Sequence, residues 1–134
     1  MPLTRVASGG ELARSMLALR MVLTEAPDTL LFDEVDAGIG GAAAVAIGKR
    51  LAELGARHQV LVVTHLAQVA ARADAHVVVH KEVVGGTTIA SADFVDGDAR
   101  VDEVARMLSG DVAEGAARIH AAELLTLSSR DAGQ

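Results

Sequence analysis

Leu12, Met16, Leu19 and Leu23 recur at three- and four-residue steps, with Arg14, Arg20 and Glu25 mostly off that stripe, until Pro27 closes the pattern. Apolar positions so spaced share one helix face and proline cannot continue a helix, so an amphipathic helix is predicted to open at Gly9. Ser8, with Glu11 three residues on, has the form of a capping box for its start. Residues 29–32 form a short apolar run cut off by acids and predict a buried strand. A glycine-rich turn, "DAGIGG", leads to an alanine-rich helix over residues 42–54, closed by Gly55 in a C-cap position. "QVLVVTH" is a second apolar run, of the continuous kind that parallel sheets bury. A short helix, "LAQVAARA", follows, and then two strands folded about Gly85 and Gly86. Helices over residues 101–108 and 112–127, parted by "SGD", end the pattern. Its alternation predicts an α/β fold with parallel core strands, a β-hairpin and flanking helices. A single lobe over residues 1–127 is expected, with 128–134 a flexible tail and no internal repeat or linker.

With 134 residues, 51% of them hydrophobic, the chain has material for one core. A net charge of -6, from 12 Lys+Arg against 18 Asp+Glu, provides no basic stripe for nucleic acid, so any DNA contact is expected elsewhere. The absence of cysteine excludes disulfides and thiolate-bound zinc within these residues and fits a reducing cytosol. No apolar run reaches the roughly 18 residues of a membrane span, so a soluble intracellular protein is expected.

Three places carry candidate chemistry. In "LLFDE" an apolar strand ends in Asp33 and Glu34, at the edge of a sheet where α/β proteins bind ligands. One carboxylate suits hydrated Mg2+ and the next can take a proton from an attacking water; the plainer alternative is a solvated strand end. In "VVTH" a second strand ends in polar groups, which would bring His65 to the same rim unless it is a structural histidine. In "SGGE" the unpaired amides of a helix start, bared by Gly9 and Gly10, suit a phosphate; a simple cap is the alternative. Other patterns fail on geometry. "GAAAVAIGKR" has the wrong glycine spacing for a P-loop, and none occurs elsewhere in these residues. His76 and His80, four residues apart at about 3.3 Å each, lie too far apart to share a metal. Ser8 lacks the first glycine of a nucleophile elbow.

"ASGGEL", "LLFDEVDAGIGG" and "VVTHLAQVAARAD", in this order and at these intervals, resemble the C-terminal lobe of an ABC-type ATPase head of the SMC-like, RecN kind. The likeness runs from about Leu3 to Leu125. It implies an ATP- and Mg2+-dependent head acting in DNA double-strand-break repair and recombination. By the same resemblance, Ser8, Gly9, Gly10 and Glu11 match the signature that meets the γ-phosphate of ATP held by the opposite head. Asp33 matches the Walker B acid on Mg2+, Glu34 the general base, and His65 the switch histidine. Residues 36–41, with Asp36 and Gly38, match the D-loop at the interface of the head pair.

Two departures matter. Gly40 stands where the D-loop usually ends in Asp, so that carboxylate role is not carried over. The P-loop, Q-loop and coiled coil are missing, which makes the chain look like a C-terminal fragment with a vacant sheet position. The implied partners are an N-terminal P-loop lobe and a second head joined through ATP, with DNA held indirectly by the full-length protein and no membrane. The implied setting is the bacterial cytoplasm, at the nucleoid. Two further readings stand beside this one. The chain could be a non-catalytic dimerisation module acting in trans. It could also be a transporter-type ABC lobe, which "DEVDAG" disfavours because transporters usually carry a Pro after the Glu.

Overall fold

The computed structural model describes residues 28–34, 36–110 and 115–131. The expected first helix and its start at Ser8–Glu11 lie outside the described residues. The described elements are β1 (Thr29–Asp33), α1 (Gly41–Gly55), β2 (Gln59–Val63), α2 (Ala67–Ala70), β3 (His76–Val84), β4 (Thr87–Val95), α3 (Gly97–Ser109) and α4 (Gly115–Asp131). The fold is α/β, and it forms two compact units that divide between Arg72 and Ala73.

In the first unit β1 and β2 pair parallel and in register, from Thr29 opposite Gln59 to Asp33 opposite Val63. Parallel strands need a crossover, and α1 supplies it. Leu30 and Phe32 alternate inward and pack with Ile39, Ala44, Ile47, Leu51, Leu54 and Val69. Each large apolar side chain so buried contributes about 1.5–3 kcal/mol. The opposite face does not match the expectation of buried strands, because Leu31, Leu61 and Val63 are exposed. Within this unit the described helices pack on the face of Leu30 and Phe32, and side chains alternate across a strand. Gly48 lets α1 approach α2. A Cβ there would lie 2.9 Å from the Gln68 carbonyl oxygen and 3.4 Å from Val69 Cα.

In the second unit β3 and β4 form an antiparallel hairpin, from His76 opposite Val95 to Val84 opposite Thr87. Its turn is Gly85 and Gly86, with φ of 57° and 81°, the left-handed pair that a type I′ turn requires. α3 starts at Gly97, four residues before the expected Val101, because "GDAR" carries no apolar mark of a helix. It ends at Gly110, whose φ of 87° is the left-handed cap that glycine favours. α4 continues to Asp131, through the first part of the expected tail. In that stretch buried Ser128 donates its hydroxyl to the Leu124 carbonyl at 2.8 Å. Arg118 reaches Asp102 at 2.6 Å and fixes α4 to α3.

At the start of β3, burial pushes the His76 imidazole below its ordinary titration range. The Arg100 charge adds to this effect and Glu103 opposes it.

Two outcomes are expected. Gly48→Ala should lower stability by about 1–3 kcal/mol through overpacking against backbone, whereas Gly55→Ala, which meets open space, should not. Urea midpoints of the two variants check this. Because the folded chain holds His76 less basic than the unfolded chain does, the unfolded state binds more protons at mildly acid pH. The stability is complete above the ordinary histidine range and is lost as pH falls through it toward the folded value. Urea midpoints should therefore drop from neutral pH to about pH 5.5, and less so in His76→Gln.

Candidate functional site

The site is built where β1 and β2 end. Beyond Asp33 one further rung forms, the Glu34 N–H donating to the Val63 carbonyl at 3.2 Å. Glu34 itself has φ of 49°, left-handed backbone that a side chain rarely adopts. The chain then doubles back: the Ala37 N–H donates to Glu34 O at 3.3 Å and the Ile39 N–H to Asp36 O at 3.0 Å. Gly38, with φ of 70°, supplies the left-handed position in this turn.

This reversal separates three nearby acids. Asp33 and Glu34 stay exposed, while Asp36 is fully buried. Oδ2 of Asp36 accepts the Thr64 hydroxyl and the His65 backbone N–H, the latter at 3.1 Å. The His65 ring Nδ1 stands 3.5 Å from the same oxygen, yet 71% of the His65 side chain is exposed. The Thr64 hydroxyl accepts the Leu66 N–H at 3.0 Å, so its single proton is left for Asp36. Among the described residues Oδ1 of Asp36 is buried without a partner.

Of the residues singled out in the sequence, the structure brings Asp33, Glu34, Asp36, Gly38 and His65 to one edge of the parallel pair. Asp36, in the segment that matches the D-loop, is turned inward. Ser8, Gly9, Gly10 and Glu11 lie outside the described residues. Thr64 was not singled out; its one signal was a hydroxyl residue directly before the histidine at a strand end. Among the described residues no group of three or more His, Cys, Asp or Glu could hold a metal ion. Two exposed neighbouring carboxylates fit Mg2+ instead, which commonly takes one or two protein carboxylates and fills its shell with water and phosphate.

The fold resembles that of an SMC ATPase. A structure from work on ATP-driven dimerization and DNA-stimulated activation of SMC ATPases superposes with a TM-score of 0.58, covering 77% of this chain and 63% of that one at 20% identity. The sequence is more specific. It is 55% identical to the DNA repair protein RecN of Deinococcus radiodurans over 124 residues, 92% of this chain and 22% of that protein. The RecN proteins of Mycobacterium leprae and Streptomyces coelicolor are 53% and 50% identical, over 98% and 97% of the chain and 22% and 23% of theirs. Over the matched residues the chain is a homologue of these RecN proteins; it spans about a fifth of their length. No protein-family model matches it. No described helix is long and apolar enough to cross a membrane.

The strained position makes an expected outcome. Glu34→Gly should leave the chain about 1 kcal/mol more stable than Glu34→Ala, the reverse of the usual order, because only glycine adopts φ near 49° freely. Equal thermal midpoints for the two variants would contradict it.

Proposed function

We propose that the chain supplies the signature, acid-pair and switch-histidine elements of a RecN-type ATPase head that works in DNA double-strand-break repair and recombination. The observation that carries this reading is the placement of Asp33, Glu34 and His65 at one edge of an in-register parallel pair. Asp33 would hold Mg2+, which when bound neutralises phosphate charge. Glu34, one residue on and exposed, is the base that takes the proton of the attacking water. His65 offers its exposed ring to the terminal phosphate. Ser8, Gly9, Gly10 and Glu11 are the signature residues that meet ATP bound by the opposite head, and Gly38 lies in the turn at that interface. Two heads join through ATP, in line with the ATP-driven dimerization of the SMC ATPases whose fold the chain shares. The P-loop amides and lysine that grip the phosphates are absent from these 134 residues and must come from another segment, as must the contact with DNA. The setting that fits is the bacterial cytoplasm, at the nucleoid.

A chimaera tests the reading, with this chain replacing the matched segment of the Deinococcus radiodurans RecN. Glu34→Gln is expected to lower kcat for ATP by about 10²–10⁴ while ATP-dependent pairing persists. Ser8→Arg is expected to abolish pairing but keep ATP binding, since it puts a bulky cation only where the other head's phosphate docks. The 134-residue chain alone is expected to show no turnover. Wild-type hydrolysis by the Glu34→Gln chimaera, or Glu34-dependent hydrolysis by the chain alone, would overturn the reading.

A further inference from the structure

Asp36 differs from the two acids before it in every physical respect. Its side chain is 1% exposed, and its partners are residues 28 and 29 positions away in sequence. An aspartate in a tight turn ordinarily bonds its own neighbouring backbone. Here the turn is closed by backbone groups alone, the Ile39 N–H on the Asp36 carbonyl, which leaves the carboxylate for something else. That something is the segment after β2. Three groups, the Thr64 hydroxyl, the His65 N–H and the His65 ring Nδ1, converge on the single oxygen Oδ2.

We infer that Asp36 is a positioning residue for His65, holding the backbone and the Nδ1 side of the ring so that Nε2 is presented outward at the site rim. The inference rests on the reading of His65 as the group that meets the terminal phosphate. The nitrogen of a neutral imidazole that carries the proton is set by what the other nitrogen faces. A carboxylate oxygen accepts and cannot donate, so Nδ1 beside Oδ2 carries the proton. Nε2, across the ring, is then the unprotonated nitrogen, directed away from the buried carboxylate and toward the exposed side. Thr64 completes the arrangement. Its hydroxyl is oriented by the Leu66 N–H, and its proton holds Oδ2 in place. Burial of a carboxylate costs several kcal/mol unless donors surround it, so the side chain would not lie here without these partners.

The first test reads the ring directly. Long-range ¹⁵N correlation spectra of the chain, recorded where His65 is neutral, are expected to show the Nδ1–H tautomer. In Asp36→Ala the ring should move to the Nε2–H or mixed form of an unrestrained histidine. A wild-type ring in the Nε2–H form overturns the inference without any variant. The second test is a cycle in the RecN chimaera. Asp36→Ala and His65→Ala should each lower kcat about 10- to 100-fold, the range usual for groups that orient an active residue, and the double variant should lose no more than His65→Ala alone. Losses that multiply in the double variant overturn the inference, since Asp36 would then act apart from His65. If His65→Ala leaves kcat unchanged, the reading of His65 as a phosphate-facing group fails, and the tautomer alone decides whether Asp36 positions the ring.

Discussion

The parallel, in-register pairing of β1 with β2 is the constraint from which the site follows. Because both strands run the same way and end level, at Asp33 and Val63, the segments that leave them emerge on one edge. The register is held by the core. Leu30 and Phe32 point into the packing of α1, so a slip of one residue would turn them to the open face and forfeit several kcal/mol of burial. The same slip would displace His65 by about 3.3 Å along the strand direction and break all its contacts with Asp36. The geometry of the rim is therefore enforced by apolar packing some distance from it.

Much of this was legible in the sequence, because the signals were periodic or sharply bounded. The two apolar runs, the glycine pair of the hairpin and the alanine-rich helix carry their own marks, and each lies within a residue or two of its expected bounds. The start of α3 did not show, since Gly97–Arg100 is polar and its helix is fixed by what comes later. The end of α4 did not show because "SSRD" reads as a tail, while Ser128 is buried with its hydroxyl satisfied by its own helix. The continuous apolar character of β1 and β2 suggested burial on two faces, which hydrophobicity alone cannot distinguish from burial on one.

At the site, sequence pattern located the residues but not their orientations. Asp33, Glu34 and His65 could be placed on one edge from strand ends alone. Asp36 could not be told from its neighbours, because an acid in a glycine-rich turn reads as solvated. Its burial depends on Thr64 and His65, and that pairing appears only once the strands are aligned. The left-handed backbone at Glu34 is equally invisible in composition, since no glycine marks it.

That left-handed residue explains how three acids within four positions take different environments. A strand that ran straight on past Asp33 would carry residue 36 about 10 Å beyond it, away from the core. The turn that opens at Glu34 instead leaves Asp36 buried against Thr64 and His65, with Asp33 and Glu34 outside. The rim is thus rigid where a carboxylate is buried among donors and open where carboxylates face solvent. The exposed pair also sets a condition on what binds there. Two adjacent negative charges, on a chain of net charge -6, repel a polyphosphate unless cations are supplied with it. In the proposed head those cations are Mg2+ and the lysine of a P-loop. In that head the acid pair works only in company, because the charge that suits it to Mg2+ also opposes a polyphosphate brought without cations.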